Sequence, residues 1–127
     1  MDIQNLIETA RTVRENAYVP YSNFKVGAAL LTKDGEIFSG CNIENHGIMS
    51  ICAERVAFCK ALSEGKKEFE ALVVIGSEDI TTPCGYCRQF MSEFVNKDFK
   101  VYVVYGDNKD KIKMYTIEEL LPHSFKL

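Results

Sequence analysis

Ala71-Leu72-Val73-Val74-Ile75-Gly76, running on through residues 77–82 into Pro83-Cys84-Gly85-Tyr86-Cys87, is the stretch whose reading decides the fold. The first six residues are an unbroken apolar run bounded by polar loops, as expected of a central parallel strand covered on both faces. The polar connection then reaches Thr82 and Pro83, which suit the N-cap and first position of a helix. A helix over 84–95 is therefore expected to carry Cys84 and Cys87. Strand, loop and helix in that order make a βα unit.

Upstream, Ile51-Cys52-Ala53-Glu54-Arg55 opens another helix over 51–64, with Ser50 as its expected N-cap and Gly65 as its stop. Residues 43–50 hold no period and form a polar loop. Residues 25–32 and 36–42 have the content of two strands turning at Asp34-Gly35, a hairpin. Ile3, Leu6, Ile7, Ala10, Val13 and Ala17 recur at helical spacing, which predicts an amphipathic helix over 2–17. Downstream, residues 100–105 read as a strand and 111–115 as a polar edge strand guarded by lysines. Thr116 with Glu119 has the form of a capping box, opening a short helix that Pro122 stops.

The order α-β-β-α-β-α-β-β-α implies an α/β fold: a three-layer α/β/α domain with a mixed five-stranded sheet, residues 1–127 forming a single domain. Crossover handedness puts the two cysteine-bearing helices on one face, where their N-termini can meet. Asn42 and the loop before Pro83 then lie at the carboxyl ends of strands, where sites of open α/β sheets gather.

The chain has 127 residues, 46% of them hydrophobic, which is enough for one core. A net charge of −3 argues against a grip on phosphate backbones, so no nucleic-acid partner is expected and a small molecule is the expected substrate. The first ten residues carry neither a basic region nor a long apolar run, so no signal peptide or membrane span is expected, and the location is expected to be cytoplasmic. Five cysteines are an odd count and read as reduced thiols. Cys41 and Cys59 read as small apolar residues, and Lys66-Lys67 as a solvated helix-loop junction.

Cys52, Cys84 and Cys87 supply three thiolates, which fill three tetrahedral positions around Zn²⁺ and leave the fourth for water, as in a catalytic site. The candidates for a fourth ligand, Cys41, Cys59, His46 and His123, make no second C-x-x-C and no finger-like pair. Zinc lowers the pKa of such a water toward ~7. Glu54, about 200° round the helix from Cys52 if both lie in its first turn, can carry the proton. Three thiolates leave a net negative charge on the metal, and Arg55 with two helix N-termini is the expected compensation.

A Cys with a Glu two residues on, followed later by Pro-Cys-x-x-Cys, is the spacing of zinc deaminases. A hydrolytic deaminase with one Zn²⁺ per subunit is the expectation. Two alternatives stand beside it. In a structural zinc module, Cys41 or Cys59 would complete four thiolates and Glu54 would be an ordinary first-turn carboxylate. A nucleic-acid editing deaminase would need a basic face that the chain lacks.

With Arg88-Gln89 following the second motif, the sequence resembles the small, homotetrameric cytidine deaminases. The likeness takes in Tyr18-Val19-Pro20-Tyr21-Ser22-Asn23-Phe24-Lys25-Val26-Gly27-Ala28-Ala29-Leu30, Gly40-Cys41-Asn42-Ile43-Glu44-Asn45 and the closing Glu119-Leu120-Leu121-Pro122-His123-Ser124-Phe125. The resemblance implies zinc-dependent deamination of cytidine and deoxycytidine in pyrimidine salvage, by a homotetramer. It implies that Asn42 and Glu44 bind the ribose hydroxyls, that Phe24 packs on the pyrimidine, and that Ala53 offers its backbone N–H to the base carbonyl. Glu54 would protonate N3 and then the departing amine, and Phe125 would cover a neighbouring subunit's site. The chain departs from the family pattern at residues 46–51, a loop one residue shorter than usual and without its customary Tyr, and at Tyr86, where a small residue is usual. Because that loop touches specificity, a deaminase of another cytosine nucleoside, such as blasticidin S, is the alternative.

Overall fold

An apolar run with no polar face to give to water belongs in the middle of a sheet, and that is where residues 71–75 lie. The structure, a computed structural model, describes every residue except Ile48 and Asp110. Among the described residues the chain runs α1 (Ile3–Arg14), β1 (Gly27–Thr32), β2 (Ile37–Cys41), α2 (Ala53–Ser63), β3 (Phe69–Ile75), α3 (Gly85–Ser92), β4 (Lys100–Tyr105), β5 (Lys111–Thr116) and α4 (Ile117–Leu120). The strands form one mixed sheet in the order β2-β1-β3-β4-β5. β1 runs antiparallel to both β2 and β3, β3 runs parallel to β4, and β5 closes the far edge antiparallel to β4. The central strand is thus parallel on one side only.

Alternate side chains along each strand point to opposite faces, and each face is covered. Leu6, Ile7 and Ala10 of α1 pack on Ala29, Val73, Ile75 and Val104. On the other face, Ala57, Phe58 and Ala61 of α2 and Met91 of α3 pack on Leu30, Leu72, Val74, Val101 and Val103, with Ile117 and Leu120 of α4 at the rim. This is the three-layer arrangement expected, with both cysteine-bearing helices on one face. Phe58 is fully buried there against Phe69 and Phe99 at ring distances of 5.1 and 6.3 Å; removing such a ring costs about 3–5 kcal/mol.

Several ends differ from the expectation for local reasons. Asp2 is the N-cap of α1, accepting from Asn5 N at 3.1 Å. The helix ends at Arg14 because Asn16 and Ala17 bond three residues back, in turns. β1 begins at Gly27 because the Val26 N–H is taken by the Asn42 side chain at 2.9 Å. The turn at Asp34-Gly35 is present, with Gly35 at φ +92. Lys66 is no solvated junction: its ammonium reaches Glu36 at 2.7 Å and Asp34 at 3.0 Å, tying the end of α2 to the hairpin turn. Gly65 ends α2 as expected, at φ +86. The capping box of α4 is complete, Thr116 N donating to Glu119 Oε1 at 2.8 Å and Glu119 N to Thr116 Oγ1 at 3.2 Å.

Candidate active site

β2, β3 and β4 all run the same way, so their carboxyl ends share one edge of the sheet. From the end of β2 the chain passes through Asn42 to Ile43, which exchanges two 2.9 Å backbone bonds with Ile51. This bridge closes the loop and returns the chain to Cys52. From the end of β3, residues 76–82 lead to Pro83 and Cys84. The two excursions bring Cys52 Sγ within 3.6 Å of Cys84 Sγ, and the sulfurs of Cys52, Cys84 and Cys87 all lie within 4.8 Å of one another. Thiolates bound to one tetrahedral zinc at ~2.3 Å stand about 3.8 Å apart, so the donor set fits that ion. Among the described residues no fourth Cys, His, Asp or Glu joins the group; Cys41, Cys59, His46 and His123 stay outside it.

Both ligand-bearing helices begin one or more residues later than expected. Cys52, not Ser50, is the N-cap of α2, and Cys84, not Thr82, is the N-cap of α3. The extended backbone of an N-cap turns its side chain toward the free N–H groups of the first turn, and Cys84 Sγ accepts from Cys87 N at 3.5 Å. Ser50 and Thr82 serve arginines instead. The Ser50 carbonyl accepts from Arg55 at 2.9 Å and the Thr82 hydroxyl from Arg88 at 2.8 Å. With Cys52 outside the helix, the 200° relation to Glu54 does not apply.

Glu54 is nevertheless beside the sulfurs, in the first turn of α2 and only 4% exposed. Burial pushes its carboxyl up to about 7; its own backbone N–H pulls it back, and the neighbouring Cys52 charge adds to the rise. The Cys87 thiol, and after it Arg55 and Cys84, hold Cys52 down at about 5 against its burial. Cys87 is pushed well above the ordinary thiol range by the same bond to Cys52 and by burial. The Arg55 guanidinium stands 3.8 Å from the Cys52 sulfur and favours its charged form. Helix N-termini add positive potential from behind.

The remaining candidates line the same edge. Phe24 is 42% exposed. Asn42 is engaged: its Oδ1 accepts from Val26 N at 2.9 Å and its Nδ2 donates to Phe24 O at 2.7 Å, which fixes the segment carrying Phe24. One N–H of its amide is left over. Glu44 Oε1 accepts from Tyr21 N and Ser22 N at 2.9 and 3.2 Å, and the Ser22 side chain, ahead of these backbone bonds, holds its carboxyl below the ordinary value. Ala53 is the first residue of α2, so its N–H has no acceptor within the helix. The loop 46–51 contains Ile48, outside the described residues.

Sequence reasoning missed two side chains. Arg88 donates to Pro83 O at 2.7 Å, Leu120 O at 2.9 Å and Thr82 Oγ1 at 2.8 Å, so it holds the turn before Cys84 against the end of α4. A cation at the end of a first helical turn opposes the helix dipole, which is the sign that such an arginine has partners elsewhere. Tyr86 lays its ring on Arg55, 4.4 Å from the guanidinium carbon. Cys59, read as a small apolar residue, is exposed on α2.

A three-thiol centre at the strand ends of this mixed sheet, with a buried glutamate beside it, marks the class of zinc-binding deaminases. The family model for the cytidine and deoxycytidylate deaminase zinc-binding region matches residues 1–104, which include all three cysteines and Glu54. A cytidine deaminase of Sporosarcina psychrophila is 49% identical over 127 residues, 98% of this chain and 92% of its own. The crystal structure of cytidine deaminase from Burkholderia pseudomallei is 44% identical with a TM-score of 0.89, covering 98% of this chain and all of the other. A blasticidin-S deaminase of Bacillus cereus is 34% identical over 94% of this chain and 91% of its own. The chain belongs to the cytidine and deoxycytidylate deaminase family.

Proposed function

We propose that this chain hydrolyses the amino group of cytidine and deoxycytidine, giving uridine or deoxyuridine and ammonia. The observation that carries this is the convergence of Cys52, Cys84 and Cys87 beside a buried Glu54, supported by 49% and 48% identity to two cytidine deaminases against 34% to the blasticidin-S enzyme. When held by the three thiolates, zinc supplies Lewis acidity that makes a water acidic near neutral pH. Glu54 would take a proton from the water that attacks C4 of the base and deliver it to N3. The proton of the new C4 hydroxyl then passes through the same carboxylate to the exocyclic amine, the C4–N bond breaks, ammonia leaves and C4 becomes a carbonyl. A carboxyl whose burial raises its pKa toward neutrality is suited to both directions of transfer.

Substrate positioning falls to the edge beside the thiols. The Ala53 N–H faces the base carbonyl, the Phe24 ring lies against the pyrimidine, and Glu44 Oε2 with the leftover Asn42 N–H serves the sugar hydroxyls. Arg55 balances the thiolate charge. Residues 1–127 act as one domain, in a homotetramer, and serve pyrimidine salvage in the cytoplasm. In support, all five cysteines are free thiols, no helix among the described residues is long and apolar enough to cross a membrane, and Met49, Ile51 and Phe125 expose apolar surface that an assembly would cover.

The test is zinc analysis alongside loss of cytidine absorbance on one preparation, with deoxycytidine and blasticidin S compared. Glu54→Gln is expected to lower kcat by at least about 10²–10⁴ with zinc content and unfolding midpoint retained. A protein active on blasticidin S and on neither nucleoside would replace this substrate assignment.

A further inference from the structure

Tyr86 stands between the two cysteines of the second motif, on the segment that carries Cys84 and Cys87, while Arg55 stands on the segment that carries Cys52. Tyr86 is 55% exposed, so burial in the core does not explain its place. It instead covers the outer face of Arg55 at 4.4 Å. The guanidinium is held on its other sides by the Ser50 carbonyl at 2.9 Å and the Cys52 sulfur at 3.8 Å, and its Nε is buried without an acceptor. A guanidinium is planar and stacks on aromatic faces. A ring laid over it removes water from one side and limits the rotamers by which a long side chain would swing out to solvent.

We propose that Tyr86 is a positioning residue: its ring clamps Arg55 against the thiols and so joins the two segments that supply the metal ligands. Its role rests on the zinc deaminase function given above. The clamp acts through Arg55, so what it changes is the stability of the thiolate cluster around zinc, and through that the chemical step, while substrate contacts are left as they were.

The test uses the zinc-loaded protein and Tyr86→Phe, Tyr86→Leu and Tyr86→Ala. Three readouts are taken: zinc affinity by competition with a chromophoric chelator, the thiolate-to-metal charge-transfer band of the cobalt-substituted protein, and kcat and KM for cytidine. Tyr86→Phe keeps the ring and is expected to hold zinc within about twofold of the parent. Tyr86→Leu and Tyr86→Ala are expected to bind zinc about three- to fivefold more weakly, the range of an exposed cation–π contact. Their charge-transfer band shifts, and kcat falls by a similar factor with KM unchanged. In an Arg55→Ala background, adding Tyr86→Ala is expected to have no further effect on zinc affinity, because the partner is gone.

Unchanged zinc affinity and band position in Tyr86→Ala would overturn the clamp, as would a rise in KM alone, or an effect of Tyr86→Ala that survives in the Arg55→Ala background. A parent protein that neither holds zinc nor deaminates cytidine would remove the proposed function itself. A parent that does both, beside a Tyr86→Ala variant indistinguishable from it, would remove only the clamp.

Discussion

Replacing Gly40 by Ala puts the geometry of the site under a direct mechanical test. Gly40 is buried in β2 beneath the first turn of α2, and a Cβ there would stand 2.6 Å from Ala57 N and closer still to Ala53 O. Both are backbone atoms of the helix and cannot swing aside as a side-chain tip can. Ordinary contact begins at 3.4 Å, so α2 must retreat by at least the difference between 3.4 and 2.6, roughly 0.8 Å. Overpacking of this kind costs about 1–3 kcal/mol, which for a chain of this length lowers the unfolding midpoint by about 3–12 °C.

The same turn carries Glu54, and Cys52 caps it, so the retreat carries a ligand and the carboxylate away from Cys84 and Cys87. A misplacement near 1 Å costs about 100-fold in rate. We expect kcat/KM for cytidine to fall by about 10- to 100-fold, with weaker zinc retention, measured by absorbance, metal analysis and calorimetry on one preparation. Gly35→Ala is the control. Its φ of +92 strains any side chain, but nothing lies within 4 Å of an added Cβ. It is expected to cost about 1–2 kcal/mol and leave turnover alone. Turnover equal to the parent in Gly40→Ala, or equally lost in both variants, would refute this account of the packing.

Other substitutions follow from the hydrogen bonds. Asn42→Ala strands the Val26 N–H and the Phe24 carbonyl; we expect a loss of about 1–3 kcal/mol in denaturant unfolding together with a raised KM for cytidine, as the Phe24 segment loosens. Cys84→Ser is expected to lose zinc during dialysis against a chelator that the parent withstands, with metal analysis as the readout. The Thr32 hydroxyl, and after it Lys66, holds the Asp34 carboxyl below its ordinary value of 3.8. A lowered carboxyl pKa gives stability that is present above 3.8 and is lost as pH falls through the lower folded value. Asp34→Asn should therefore melt below the parent at neutral pH, and the two melting curves should converge in acid. A gap that persists there would point to a cause other than charge.

Most of the framework was legible because it rests on local rules. The run at 71–75 has one stable environment, and β4 came out with the bounds expected for it. Thr116 and Glu119 make a capping box with no help from the rest of the chain. The metal centre was legible from spacing, since three sulfurs and a carboxylate are costly to arrange without an ion to share. What escaped was decided by contacts between segments far apart in sequence. Ser50 and Thr82 are good caps in isolation, but the cysteines that follow them take the cap positions and leave their oxygens to Arg55 and Arg88. Lys66 looks solvated until the hairpin turn arrives beside it. Asn42 looks free until Phe24 and Val26 fold back on it.

The exposed sulfur of Cys59 has a practical consequence. Cys59 and Cys84 are both open to solvent, whereas Cys87 is buried. A thiol-reactive dye applied to the zinc-loaded chain should therefore modify Cys59 quickly and find Cys84 shielded by its ion. With Cys41→Ser and Cys59→Ser as the background, since Cys41 is also a partly exposed free thiol outside the group, the onset of labelling becomes an optical clock for metal departure, readable without substrate.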